Sequence, residues 1–286
     1  MNKIIILGHE NPDVDSIVSG YLLEKILKNK GYDARFIIPD NEIQQESLDI
    51  CRKNGLDPIM FQKNINLNDK NIKYILVDHN ERNVSGEIVC IIDHHPTNKT
   101  IKMDNYYNKQ ISSTACYICN MFEDLLEEND LKLAIVATMV DTASFHSTKS
   151  REEDKKWVMD LCEKYGFDYK ELYNQGLCLT KLDDIEKASL NGLKKYNFNN
   201  LLVHSSYIQI EDLKLYKYKI NSILNVLKEY IINEKITTFV FIVHDMKSFK
   251  TMYYLITNKG IEKRYYDSYT ARGTTIIPEI EQKLFK

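Results

Sequence analysis

The segment GHENPDVDS places His9, Asp13 and Asp15 in one short turn, directly after the apolar run IIIL. Three ionisable side chains so close together repel one another and resist desolvation, yet the run before them reads as a buried strand. The juxtaposition recurs. Asp78 and His79 follow YILV, Asp93, His94 and His95 follow IVCII, and Asp141 follows AIVATMV with His146 a few residues on. Each cluster alone has a simpler reading: Asn-Pro-Asp is a good turn, and Asp15 or Ser16 could cap the next helix. Co-occurrence argues otherwise, because five of the seven histidines lie at or beside the ends of these apolar elements. A pair of divalent cations resolves the repulsion, since bound metal is often the largest local charge. Mixed carboxylate and imidazole donors suit Mn²⁺ or a similar first-row ion better than Ca²⁺, which prefers all-oxygen cages. Two such ions roughly 3.5–4 Å apart can share a hydroxide and clamp a phosphoryl group during in-line displacement. The expected chemistry is hydrolysis.

Such residues need a scaffold that brings distant segments together. Short β-branched runs (IIIL, ARFII, YILVD, IVCIID) alternate with amphipathic stretches such as SIVSGYLLEKILKNKG and QESLDICRKNG, the pattern of βαβ units around a parallel sheet. In an open parallel sheet the C-terminal strand ends share one edge, where ligands bind. Helices are expected in SSTACYICNMFEDLL, where Ser112 and Ser113 read as an N-cap, in AIVATMV, and in REEDKKWVMDLCEKYG, which carries Trp157. The polar stretch NGLKKYNFNN reads as a linker. Beyond it, LLVHSSYIQI, a long amphipathic helix and the strand-like runs TTFVFIVHD, YYLITN and KRYYDS make a second, smaller α/β unit. The fold class is therefore α/β, with domains at 1–189 and 201–286 and a linker at 190–200. His204, His244 and Asp245 read as surface or capping groups of the second domain.

Composition narrows the class. In 286 residues, 43% hydrophobic and 28% charged are ordinary globular values, and a net charge of -3 gives no basic field for long nucleic acid. The opening apolar run is too short for a signal peptide, and no stretch approaches the roughly 18 residues of a membrane span. A cytoplasmic protein without a membrane partner is expected. Cys51, Cys90, Cys116, Cys119, Cys162 and Cys178 are scattered through helix-like and strand-like segments, so reduced thiols are expected, and the CxxC of Cys116 and Cys119 reads as part of a helix.

GHENPDVDS, LVDHNE, IIDHHPTN and MVDTASF resemble, in order, the four motifs of the DHH phosphoesterases. Within that superfamily, HxNPDxDS followed by VDHNE is similar to the manganese-dependent family II inorganic pyrophosphatases and the related exopolyphosphatases. The resemblance implies two Mn²⁺ per site, with Co²⁺ or Mg²⁺ as other candidates. One ion would be held by His9, Asp13 and Asp78, the second by Asp15, Asp78, His94 and Asp141, with Asp78 bridging. His95 would face the substrate phosphate and Asp93 would orient a ligand. The tail TARGTTIIPEI resembles the SRKKQVVP end of the DHHA2-type domain, Arg272 matching the arginine while Gly273 and Thr274 stand in place of lysines. Lys181 is the nearest basic candidate for a further substrate-binding lysine.

The implied architecture puts the active site in the cleft between the two domains. The implied activity is metal-dependent hydrolysis of phosphoanhydride bonds in pyrophosphate or short-chain polyphosphate. An alternative is a phosphodiesterase or phosphatase acting on short oligonucleotides, cyclic dinucleotides or pAp, and another is a non-enzymatic metal- or nucleotide-binding regulator. The expected partner is a small phosphate-containing substrate. Members of this family are often dimers, so a homodimer stays open.

Overall fold

The structure is a computed structural model that describes residues 3–39, 43–80, 82–95, 101–198 and 201–284. Glu81 and residues 96–98 of the sequence motifs, and residues 199–200 of the expected linker, lie outside the described residues. The chain separates into two compact units, residues 1–145 with 149–176 and residues 146–148 with 177–286.

The first unit is built on five parallel strands, β1 (Ile4–Leu7), β2 (Ala34–Ile37), β3 (Lys73–Val77), β4 (Glu87–Asp93) and β5 (Tyr106–Asn108). Their order is β2-β1-β3-β4-β5. Its helices are α1 (Val14–Asn29), α2 (Gln45–Lys53), α3 (Thr114–Phe122), α4 (Glu128–Asp141), α5 (Glu152–Tyr165) and α6 (Tyr169–Gly176). The central strands are apolar through Ile4–Leu7, Tyr74–Val77 and Ile88–Ile92 because both faces are covered. Ile6, Ile75, Val77 and Ile92 pack with Ile17, Val18 and Leu22 of α1, Ile118 of α3 and Ala134 of α4. Side chains alternate across a strand, so Ile5, Leu7, Tyr74, Leu76 and Ile91 fill the opposite face. Leu7 pairs with Leu76 and Val77 with Ile92, a register that brings three C-terminal strand ends to one edge.

The second unit contains α7 (Ile185–Ser189), β6 (Lys194–Phe198), β7 (Leu201–Ile210), α8 (Leu213–Glu234), β8 (Thr238–Asp245), β9 (Lys250–Thr257), β10 (Gly260–Tyr266) and α9 (Ile277–Leu284). Its sheet runs β10-β9-β8-β7-β6 and is mixed, with β7 and β8 parallel and the other pairs antiparallel. Helix α8 buries Ile220, Ile223, Leu224, Leu227 and Ile231, one stripe at helical spacing, in the same core as Ile208, Phe239 and Phe241.

The expected linker is the main correction. Residues 194–198 form β6, an edge strand paired with β7, and its KKYNF pattern is polar because alternate residues face solvent. The boundary falls after Gly176 rather than after residue 189, because Leu182 and Ala188 join the core formed with α8. Among the described residues, no helix is long and apolar enough to cross a membrane. Among the described residues no disulfide joins any of the six cysteines, and Cys116 and Cys119 are buried on α3.

Candidate metal centre

The turn after β1 is drawn tightly onto the start of α1. Asp13 caps the helix, its carboxylate accepting the Ser16 amide at 3.1 Å, and the Ser16 hydroxyl accepts the His9 amide at 3.1 Å. Gly8 permits this approach, since a Cβ there would lie 2.2 Å from Ser16 Oγ. His9 is thereby fixed, with Nδ1 2.8 Å from the Glu10 carbonyl. Donation from Nδ1 leaves Nε2 as the ring's lone-pair atom. That Nε2 lies 3.1 Å from Asp13 Oδ2 and 3.6 Å from Asp78 Oδ2.

Asp78 leaves the end of β3 with φ of 62°, a left-handed conformation that costs a non-glycine residue roughly 1–2 kcal/mol and recurs at functional sites. It is buried, and Thr114 Oγ1 donates to its Oδ1 at 3.3 Å. The same oxygen lies 3.3 Å from His94 Nε2, whose ring is held through Nδ1 at 3.1 Å from the Ile111 carbonyl. His94 Nε2 is also 3.6 Å from Asp141 Oδ2, at the end of α4, and 3.8 Å from Asp15 Oδ2. Asp15 accepts the backbone amides of Thr114 at 2.8 Å and Ala115 at 2.9 Å, so it also serves the N-terminus of α3. Burial, then the charges of Asp78 and Asp141, push the Asp15 carboxyl well above its ordinary range.

Three donor groups emerge among the described residues, the donor atoms of each lying within 4.8 Å of one another: two sets that share no residue, His9 with Asp13 and Asp78, and Asp15 with His94 and Asp141, and a third, Asp78 with His94 and His95, that overlaps both. First-row ions take donors about 2.0–2.2 Å away, so atoms sharing one ion lie at most about 4.4 Å apart, close to this spacing. His9 Nε2 and His94 Nε2 are buried without a hydrogen bond among the described residues, although both face carboxylate oxygens. In the neutral ring that donates from Nδ1, the Nε2 lone pair facing a carboxylate is repulsive unless a cation lies between them, and these donor sets fit divalent ions. Asp78 turns one oxygen toward each set.

Asp93 holds this arrangement from behind. Its Oδ1 accepts the amides of His94 and His95 at 2.8 and 3.0 Å and His95 Nδ1 at 3.0 Å, while Asn80 donates to Oδ2 at 2.6 Å. Burial raises its pKa, but the His95 hydrogen bond and the charges of His95 and His94 outweigh that and bring it down to about 2. The His95 ring keeps 31% exposure and lies 3.6 Å from Asp78. Burial lowers His79, bonded to the Val77 carbonyl, to about 3.

Lys149, which the sequence reading missed, is ion-paired with Asp141. Its only sequence signal is that it is the first cation after Asp141. Asn80 and Thr114 were missed as well, although Asn80 lies inside the VDHNE motif.

The remaining candidates lie in the second unit. Arg272 donates to the carbonyls of Gly192 at 2.6 Å and Ser205 at 3.4 Å, with its guanidinium 5.2 Å over the Tyr207 ring. Lys181, Gly273 and Thr274 are exposed. His204 and His244 are buried rather than surface groups, bonded to Tyr230 and Thr251, because the strands carrying them lie inside the sheet.

Residues 3–143 match the N-terminal domain of the DHH family. The chain is 27% identical to the manganese-dependent inorganic pyrophosphatase of Methanocaldococcus jannaschii, across 92% of this chain and 89% of that one. It is 24% identical to the enzyme of the same name from Bacillus subtilis, across 93% and 90%. Its fold is similar to that of a Methanococcus jannaschii structure assigned to the family II inorganic pyrophosphatases, with a TM-score of 0.80, 24% identity and coverage of 99% and 100%. Residues 3–143 therefore form an N-terminal domain of the DHH family.

Proposed function

We propose that this chain is a metal-dependent phosphohydrolase whose substrate is inorganic pyrophosphate. The observation that carries the reading is the convergence of His9, Asp13 and Asp78 with Asp15, His94 and Asp141 at one sheet edge. Similarity to manganese-dependent pyrophosphatases along most of the chain supports it. In this reading His9, Asp13 and Asp78 hold one Mn²⁺, and Asp15, Asp78, His94 and Asp141 hold a second. Bound ions of this kind supply Lewis acidity and a water that ionises near neutral pH.

The chain's own residues do the rest. Asp78 spans the two donor sets and fixes their separation. Asp93 grips His95 Nδ1 and both neighbouring amides, so the imidazole stays oriented and protonated on Nδ1. With its ring still partly open to solvent, His95 can meet a phosphate oxygen. Arg272, braced by two carbonyls and Tyr207, is the proposed second anion-binding group. Lys181 is a weaker candidate, since it is exposed. The oligonucleotide phosphodiesterase and regulator alternatives are not favoured by these relatives.

Phosphate release from pyrophosphate by the purified Mn²⁺-loaded protein tests the reading. Turnover that EDTA abolishes and Mn²⁺ restores is expected. A metal-loaded protein that leaves pyrophosphate intact overturns it.

A further inference from the structure

Lys149 sits in this centre without a task in the hydrolysis reading. Its ammonium is paired with Asp141 Oδ2, the same oxygen that lies 3.6 Å from His94 Nε2. Both side chains are only 17% exposed.

The local electrostatics at Asp141 show what this cation is for. An ion held by Asp15, His94 and Asp141 would share Asp141 Oδ2 with the ammonium. An ammonium that stays on Asp141 is then a positive charge beside an ion of like sign. In a partly buried site that repulsion is weakly screened. Phosphate oxygens bring negative charge. The lysine stem has four rotatable carbons, enough to swing a compact point charge by a few ångströms without backbone change.

We propose that Lys149 is a substrate-binding residue whose ammonium leaves Asp141 once divalent ions occupy the carboxylates and donates to a phosphate oxygen of a phosphoanhydride. The inference rests on the pyrophosphate reading above and adds a recognition group to it. A lysine that merely orients Asp141 behaves differently: its removal weakens metal binding. A lysine that competes with metal for Asp141 and then serves the phosphate leaves metal binding intact or tighter when removed, and weakens the anion.

The test is calorimetric titration of Lys149→Gln, Lys149→Arg and the unaltered protein, first with Mn²⁺ and then, Mn²⁺-loaded, with the non-hydrolysable analogue imidodiphosphate. Lys149→Met, with a similar apolar stem and no charge, replaces the glutamine variant if that fails to fold. The expected result is Mn²⁺ affinity equal to or above that of the unaltered protein and imidodiphosphate affinity lowered about tenfold or more, with arginine recovering most of it. Unchanged imidodiphosphate binding in Lys149→Gln, or Mn²⁺ binding weakened in parallel, overturns the inference. If the unaltered Mn²⁺-loaded protein binds no imidodiphosphate, the pyrophosphate reading falls and takes this inference with it, an outcome separate from failure in the variant alone.

Discussion

Asp78 Oδ1 lies 3.3 Å from His94 Nε2 while its other oxygen, Oδ2, lies 3.6 Å from His9 Nε2. One carboxylate thus serves two histidines carried by different strands, and its loss damages both donor sets. Asp78→Asn keeps the shape and removes the charge. It is expected to lower Mn²⁺ affinity at both sites and turnover by about a hundredfold or more, whereas Asp13→Asn weakens one site and leaves the other titratable. Mn²⁺ titration of the two variants side by side checks this.

Gly8 is the narrowest point of the site's scaffold. A methyl group there meets Ser16 Oγ at 2.2 Å, so either the hydroxyl rotates away and releases the His9 amide or the turn and the start of α1 move apart. Gly8→Ala is expected to cost about 1–3 kcal/mol of stability and to weaken Mn²⁺ binding through His9. Urea unfolding and metal titration report the two effects separately.

Asp93 is expected to matter through the donors it satisfies. Asp93→Asn sets an amide where Asn80, His95 and two backbone amides donate to a carboxylate. A loss of roughly 2–3 kcal/mol in unfolding free energy is expected, together with weaker pyrophosphate binding because His95 loses its anchor.

Much of this centre is legible in the sequence because β-branched runs end directly on the chemical residues: Leu7 precedes Gly8 and His9, and Val77 precedes Asp78. A strand end in a parallel sheet fixes where the next side chain goes, so type and position coincide. Lys149 lacks such a marker. It sits in a polar turn, and only folding brings it to Asp141. The β6 edge was misread as a linker for a related reason, since an edge strand with one solvated face lacks the continuous apolar run that marks β1 or β3. Asp15 shows the limit of either-or reading: the sequence posed ligand or cap, and the carboxylate both joins the cluster and receives two α3 amides.

His244 gives a pH dependence away from the metal centre. Burial lowers its pKa from 6.5 to about 3, with the Arg272 charge adding to the shift. Between those values the unfolded chain binds a proton that the folded chain refuses, so stability rises with pH across that window and falls as the medium is acidified below about 6.5. The expected slope from this group is up to about 1.4 kcal/mol per pH unit. Urea unfolding at pH 7 and pH 5 should show a smaller loss in His244→Gln than in the unaltered protein.

Anomalous scattering from crystals of the Mn²⁺-loaded protein tests the central claim most directly. The expected result is two peaks roughly 3.5–4 Å apart, one among His9, Asp13 and Asp78 and one among Asp15, His94 and Asp141, with Asp78 touching both. A single ion away from these residues, or no ion at all, contradicts it.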